Sequence, residues 1–246
     1  MKKYLAVVIL LWAVSAHAAS SQGFSEGVAK YEAGQYREAA ALFEHLLQGG
    51  GRTAAVYYNL GNAYFRLGEK GKALLSYDRA LKLTPRDEDI RWNIEILKSA
   101  LTDRIEDETG SILGMWVKKL LERFTEDEAA KVFSGLLLAL FLLSFFSLIL
   151  PRARGFFTAF QTLLAIFFIA AAVLFVLKWN EAKNSRVIVL EKETYARFGP
   201  NLKETKAFLL HEGAEGRVVD ETNGWTYIVL PNKNSGWIPK EVCEKI

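Results

Sequence analysis

The sequence predicts a multidomain membrane protein with an all-α helical repeat domain, a two-helix transmembrane hairpin and a small all-β barrel. Three observations lead to this fold class. Small and aromatic residues recur about 34 positions apart near the N-terminus, two long uncharged runs occupy the middle, and short β-branched or aromatic runs alternate with turn residues near the C-terminus. The 246 residues are enough for two small domains plus membrane segments.

Composition limits the classes of partner. The chain is 51% hydrophobic and 24% charged, and its apolar residues are concentrated in three runs rather than spread evenly. The net charge is only +3, with acidic and basic residues interleaved throughout. Because nucleic-acid binders show a basic patch or stripe, the sequence excludes nucleic acid as a partner.

The first apolar run predicts a secretory signal peptide over residues 1–18. Two lysines precede about a dozen apolar residues, and the run ends in Ala16-His17-Ala18, an A-x-A cleavage site. An uncleaved anchor helix is the alternative, but the run is shorter than the roughly 20 residues that cross a bilayer. In either case the chain that follows is expected to be exported.

The other two runs predict transmembrane helices over 132–150 and 156–177, since no charge interrupts either one. The loop that joins them, 151–155, carries only the charges of Arg152 and Arg154. The positive-inside rule therefore places this loop in the cytoplasm. With the signal peptide directing the preceding region outside, two spans return the C-terminal region to the same side.

Tyr57 to Pro85 shows the spacing of a tetratricopeptide repeat. Its signature positions carry Tyr57, Leu60, Gly61, Tyr64, Ala73, Tyr77 and Pro85. The pattern indicates two antiparallel helices that approach at the small residues, are filled in by the aromatic residues and end at the proline. Leu67 to Gly71 is expected to form the turn between the helices.

A second copy lies 34 residues upstream, as a repeat unit that cannot bury its own faces requires. The equivalent small and aromatic positions are Gly27, Ala39 and Phe43, and the glycines of 49–51 interrupt the chain after them. Downstream, no second helix follows, so Asp87 to about Arg104 is predicted to be a solitary capping helix. The predicted repeat domain is 19–104.

Arrays of such repeats present the first helix of each pair along a concave face. We predict a partner-binding groove there, lined by Phe24, Val28, Tyr31, Tyr58, Asn62, Phe65, Arg66, Trp92 and Ile96. An aromatic stripe at helical spacing can equally belong to the core. Asn59 and Asn93 could clamp a peptide backbone or satisfy local helix groups.

An amphipathic connector, 105–131, precedes the first span. Its apolar face carries Leu113, Trp116, Val117, Leu120, Leu121 and Phe124. This helix is expected either to lie in the membrane interface or to pack against the repeats. Thr125 and Glu128 predict a capping box at the start of the next helix.

The last segment, 184–246, predicts a barrel of about five strands. Five β-branched or aromatic runs are separated by turn residues: Val187–Leu190, Ala207–Leu210, Arg217–Val219, Trp225–Leu230 and Gly236–Ile238.

Within this segment, Ala196–Asn201, Leu210–Gly213, Trp225 and Gly236–Ile238 resemble a bacterial SH3-like domain. The resemblance implies a ligand face for cell-wall peptides, with Tyr195, Trp225 and Trp237 as stacking platforms. The alternative is that both tryptophans belong to the barrel core.

Catalytic chemistry is not predicted: the sequence suggests no catalytic, cofactor-binding or metal-binding residues and no cofactor. His45 and His211 fall in different domains without nearby cysteine, so no metal cluster can be assembled. The sole cysteine, Cys243, is expected to be an unpaired strand residue, with a redox or intermolecular role as the alternative. We therefore predict that the protein is not an enzyme.

The order of modules resembles the BatE family, the tetratricopeptide members of the Bat aerotolerance system. The resemblance extends over nearly the whole chain and includes the capping-helix sequence Arg91-Trp92-Asn93-Ile94-Glu95. It implies a multi-pass protein of the bacterial cytoplasmic membrane whose repeat and SH3-like domains are periplasmic. It also implies Bat partners that bear von Willebrand A-type domains, in a system linked to oxygen or peroxide tolerance, and it supplies no catalytic residues.

Two functions follow from these features. The favoured one is a scaffold or adaptor, anchored in the lipid bilayer, that binds partner proteins through the repeat groove and the barrel. The alternative is an envelope module that binds peptidoglycan through the barrel and recruits a cell-wall enzyme.

Overall fold

The computed structural model describes residues 21–103, 112–150, 152, 154–183 and 185–246. The predicted signal peptide, the last residue of the predicted repeat domain and residues 105–111 of the connector lie outside the described residues. The chain divides into two compact units, Met1–Glu108 with Arg186–Ile246 in one and Thr109–Ser185 in the other.

Within residues 21–103 of the first unit, the structure shows five helices. They are α1 (residues 21–32), α2 (Tyr36–Gln48), α3 (Ala54–Leu67), α4 (Lys70–Leu83) and α5 (Glu88–Ser99). The Thr53 side chain accepts the Val56 N–H at the start of α3, and Asp87 caps α5 in the same way through Ile90 N–H. As predicted, α4 ends shortly before Pro85.

The two helix pairs show equivalent close contacts. A Cβ on Gly61 of α3 would lie 2.6 Å from Cδ1 of Tyr77 on α4, and a Cβ on Gly27 of α1 would lie 2.7 Å from Cε1 of Phe43 on α2. Tyr77 and Phe43 are almost fully buried in the helical core. The 34-residue spacing therefore reflects one packing solution used twice.

Two local expectations differ from the structure. The turn between α3 and α4 is confined to Gly68, with φ of 76°, and Glu69, while Gly71 already belongs to α4. The capping helix ends at Ser99 rather than near Arg104. The chain leaves the helix there because Leu101 becomes buried and the Asp103 carboxylate accepts the backbone N–H of His211.

Seven antiparallel strands follow in sequence after residue 185. They are β1 (Arg186–Val189), β2 (Glu193–Arg197), β3 (Lys206–His211), β4 (Glu215–Thr222), β5 (Trp225–Val229), β6 (Ser235–Pro239) and β7 (Cys243–Lys245). Their order in the sheet is β3-β2-β6-β5-β4-β1-β7. The additional strands relative to the five predicted are β2, which is rich in polar residues, and β7, which is very short.

The sheet has its own core on one face. Along β5, Thr226 and Ile228 are buried whereas Trp225 and Tyr227 are only partly so, as the two-residue period of a strand requires. The buried face carries Val187, Val189, Ala196, Leu210, Ile228, Ile238 and Val242.

Strand β1 joins the sheet to the helices. Val187 and Val189 lie in the sheet core, whereas Ile188 points the other way and is completely buried in the helical core with Leu74 and Leu97. Gly71 of α4 permits this approach, since a Cβ there would lie 2.5 Å from the carbonyl oxygen of Val189. We call the contact of α4 and α5 with β1, β4 and β7 the junction.

The second unit contains α6 (Ile112–Leu121), α7 (Glu126–Ile149) and α8 (Arg154–Lys183). The predicted capping box is present, with reciprocal hydrogen bonds between Thr125 and Glu128. Both α7 and α8 are long and apolar enough to cross a membrane.

Helices α7 and α8 pack against each other through aromatic rings. The ring of Phe133 lies 5.2 Å from those of Phe168 and Phe175, centroid to centroid. Gln161, a polar side chain within the second apolar run, donates to Ser144 Oγ at 2.8 Å. A polar group in an apolar helix is thus satisfied by its neighbour.

Candidate partner-binding surfaces

The nine predicted groove residues lie on α1, α3 and α5. We call this surface the repeat face. Three of its side chains are large, apolar and exposed: Trp92 is 63% exposed, Ile96 40% and Phe65 39%. Large exposed apolar groups that share one surface are typical of binding sites.

The other apolar members of the repeat face also support the core. Phe24, Val28, Tyr31 and Tyr58 are partly buried and pack against the helical core. The Tyr58 ring lies 5.9 Å from that of buried Tyr77. Truncation of these four side chains would therefore affect folding as well as any partner.

A polar network fixes α3, α4 and α5 relative to one another. Asn62 Oδ1 accepts hydrogen bonds from the Tyr77 hydroxyl at 2.7 Å and from Asn93 Nδ2 at 3.2 Å. Asn93 Nδ2 also lies 3.1 Å from the Tyr58 hydroxyl oxygen. Burial raises the pKa of Tyr77, which keeps its hydroxyl a donor.

The asparagines that could have clamped a peptide have local partners. Asn59 Nδ2 donates to the Ala55 carbonyl at 2.9 Å, one helical turn away. Asn93 belongs to the polar network just described. Both amides therefore have structural roles.

Arg66 provides a positive charge on the repeat face. Its guanidinium carbon lies 4.7 Å above the ring of Tyr36, which in turn meets the Tyr31 ring edge-on at 5.2 Å. Tyr36 was not among the predicted groove residues. It lies on α2, the second helix of its pair, whereas the predicted groove was built from the first helix of each pair.

A second aromatic surface lies on the sheet face opposite its core. Trp237 pairs in register with both Arg197 and Tyr227, and the Tyr227 and Trp237 rings are 5.1 Å apart. Tyr195 lies two residues before Arg197 on β2, and Trp225 lies two residues before Tyr227 on β5. Both side chains therefore point to the same face of the sheet as Trp237. We call it the outer sheet face.

Trp225 and Trp237 therefore lie outside the buried sheet core. The alternative prediction, that both tryptophans belong to the core, does not describe this arrangement. Tyr195 is 40% exposed, and the Lys206 ammonium lies 3.7 Å from its ring centroid. Tyr227 was missed, although the alternation of Trp225, Thr226 and Tyr227 would have placed it on the same face.

Within the described residues, no group of three or more His, Cys, Asp or Glu side chains could hold a metal ion. Cys243 is a free thiol at the start of β7. Burial raises its pKa, which is opposite to the lowered pKa of reactive cysteines.

Residues 24–88 match the Tetratricopeptide repeat family. The helical repeats are tetratricopeptide repeats. The match runs from α1 to the start of α5 and therefore includes both helix pairs defined by the 34-residue spacing. Tetratricopeptide repeats stack into extended binding surfaces, so the comparison indicates a role in protein–protein interaction. A comparison with curated proteins found no match.

Proposed function

We propose that this protein is a membrane-anchored adaptor whose tetratricopeptide repeats bind a partner protein through the repeat face. The observation that carries the proposal is the exposure of Phe65, Trp92 and Ile96 beside a hydrogen-bonded polar network. The network holds the helices in place, so these side chains are presented without a large ordering penalty on binding. Aromatic anchors of this kind dominate interface energies.

The division into units supports anchoring by a transmembrane hairpin. The tetratricopeptide repeats and the sheet pack together in one compact unit, although the segment with two apolar helices separates them in sequence. Because two packed segments must lie on the same side of a membrane, an even number of spans between them is required. Two spans through α7 and α8 meet this condition.

We predict that the repeats and the sheet both face the exterior and that Arg152 and Arg154 face the cytoplasm. Alkaline phosphatase fused after Gly110 or after Ile246 should be active in a bacterial host, and a fusion at Gly155 should be inactive. Activity at Gly155 with inactivity at the other two sites would reverse the topology.

We further propose that the partner is a Bat protein with a von Willebrand A-type domain, in an aerotolerance or envelope stress complex of the bacterial inner membrane. The order of modules that resembles BatE motivates this choice. Both surfaces would then lie in the periplasm, where the predicted signal peptide directs them. A von Willebrand A-type protein encoded next to this one is the partner to test first.

We expect single Phe65→Ala, Trp92→Ala and Ile96→Ala substitutions to weaken binding of that partner by about 2 kcal/mol each. Trp92 is the most exposed of the three, so its variant in particular should keep the wild-type melting temperature. Titration of the detergent-solubilised protein with the purified partner provides the dissociation constants. Leu83→Ala is the matched control, because Leu83 is apolar and 47% exposed but lies on α4.

If the three variants bind with unchanged dissociation constants while Leu83→Ala weakens binding, the partner uses another face and the proposal is wrong. Equal losses in all four would indicate a general effect on the repeats, which the melting temperatures would reveal.

The outer sheet face favours a second candidate, an SH3-like envelope module that binds peptidoglycan. Trp225 and Trp237 are partly exposed on that face rather than buried in the core, and aromatic faces are suitable for stacking on wall components. Sedimentation of the solubilised protein with purified peptidoglycan tests this candidate. Sedimentation that is lost in a Trp225→Ala/Trp237→Ala variant would support it over the adaptor.

A further inference from the structure

The junction contains a buried carboxylate with an incomplete set of partners. Asp78, on α4, is only 8% exposed. Its Oδ2 atom is buried and has no hydrogen-bond partner among the described residues. An ionised carboxylate without full hydrogen bonding is expensive in such a place, so the protonation state of Asp78 affects how well the junction closes.

A second carboxylate faces Asp78 from the sheet. Glu215 of β4 forms an ion pair with Lys98 of α5, and one of its oxygens lies 3.5 Å from Arg186 of β1. Lys98 and Arg186, two of the three cations whose charges act on Asp78, are therefore engaged by Glu215. An ionised Asp78 adds a second negative charge beside that of Glu215.

Other charged groups around α4 have partners nearer the rim. Lys82 donates to a main-chain oxygen of Ile246 at 3.0 Å, and Arg79 pairs with Glu244 of β7 at 2.7 Å. Lys245 of β7 pairs with Glu221. The charge of Lys82 favours the ionised form of Asp78, as do the charges of Lys98 and Arg186.

We propose that the junction is an acid-strengthened latch, which holds the sheet against the tetratricopeptide repeats more tightly when Asp78 carries a proton. Protonation removes the charge that Glu215 repels and leaves a neutral carboxylic acid in the buried site. When the junction opens, water reaches Asp78 and the carboxylate ionises freely. The latch therefore loosens as the solution becomes less acidic.

The direction of this effect follows from linkage. Burial, followed by the charge of Glu215, raises the pKa of Asp78 from 3.8 to about 6, against the opposing effects of Lys98, Arg186 and Lys82. Because the pKa of Asp78 is higher in the closed state than in the open state, proton binding stabilises the closed state. The stabilisation is complete below the ordinary pKa of an aspartic acid. This stabilisation is lost as the pH rises through about 6.

Hydrogen exchange of the full-length protein in nanodiscs tests the latch. After correction for intrinsic exchange rates, the protection of β1 amides is compared between the wild type and Asp78→Asn at pH 5 and pH 7.5. Asparagine mimics the protonated acid, so the ratio of wild-type to variant protection should fall by about tenfold over this range. A constant ratio would overturn the proposal. Any packing effect of the amide is the same at both pH values and cancels.

Two controls separate Asp78 from other groups. Asp89→Asn removes an exposed carboxylate from α5, so its ratio to the wild type should be constant. His211, whose Nδ1 lies 2.9 Å from Asp103 Oδ1, is a second titratable group between repeats and sheet. When His211→Gln is introduced into both the wild type and Asp78→Asn, the ratio of their protection should still fall between pH 5 and pH 7.5.

If Asp78→Asn does not fold, the wild type alone still decides the question. Carbon-13 NMR titration of the Asp78 carboxyl group should give a midpoint near 6. A midpoint close to the ordinary value of an aspartic acid would contradict the latch.

Discussion

Replacing Gly61 by leucine is expected to destabilise the tetratricopeptide repeats by about 3 kcal/mol or more. Even a Cβ at this position would lie 2.6 Å from two atoms of the Tyr77 ring. The ring is held in place because it is buried and its hydroxyl donates to Asn62. Leucine therefore forces α3 and α4 apart and also breaks the polar network.

Thermal unfolding of the solubilised protein, followed by circular dichroism at 222 nm, measures this effect. Ala55→Leu is the matched control, since it adds a leucine to an exposed position of the same helix and should leave the transition unchanged. Melting of Gly61→Leu at the wild-type temperature would mean that α3 and α4 are not paired as described.

The second large effect is expected at Ile188. Truncation of this completely buried side chain to alanine should lower the free energy of unfolding by about 2 to 5 kcal/mol. Although Ile188 belongs to a strand, it packs in the helical core. The tetratricopeptide repeats should therefore lose stability together with the sheet.

Limited proteolysis, with the fragments assigned to repeats or sheet by mass spectrometry, shows whether the two parts lose stability together or separately. Both segments should become more susceptible in Ile188→Ala, and neither should in Val219→Ala, which truncates an exposed residue of β4. Increased cleavage of the sheet alone, with unchanged repeats, would show that the two parts fold independently.

The repeats were predictable because their signals are local. Gly61 and Tyr77 lie sixteen positions apart in one helix pair, and the same contact recurs at Gly27 and Phe43. A spacing that encodes one packing contact can be recognised without any long-range information. The helix ends were less predictable where tertiary contacts decide them, as at Ser99.

The junction could not be predicted from the sequence. Ile188 lies in an ordinary apolar strand, and Asp78 looks like a solvent-exposed carboxylate on an amphipathic helix. The charges of Glu215 and Arg186 act on the pKa of Asp78, and both residues follow the second apolar helix in sequence. Periodicity reveals which faces are apolar but not which distant segment covers them.

The repeat face was only partly predictable. The register nominated Trp92, Phe65 and Ile96, which are exposed, and also Tyr58, which supports the core. The position of a residue in the repeat does not show whether its side chain is exposed or packs against the core, because exposure depends on the neighbouring side chains. On the outer sheet face, strand alternation would have placed Tyr227 beside Trp225, although Tyr227 was not among the predicted residues.

Site-specific photo-crosslinking in intact cells tests the adaptor function most directly. A benzophenone amino acid placed at Trp92 should form an adduct with the proposed partner, a von Willebrand A-type protein, identified by its mass and by antibody. The same probe at Leu83, equally apolar and also exposed but on α4, should form none. An adduct with that protein from Leu83 and none from Trp92 would contradict binding through the repeat face.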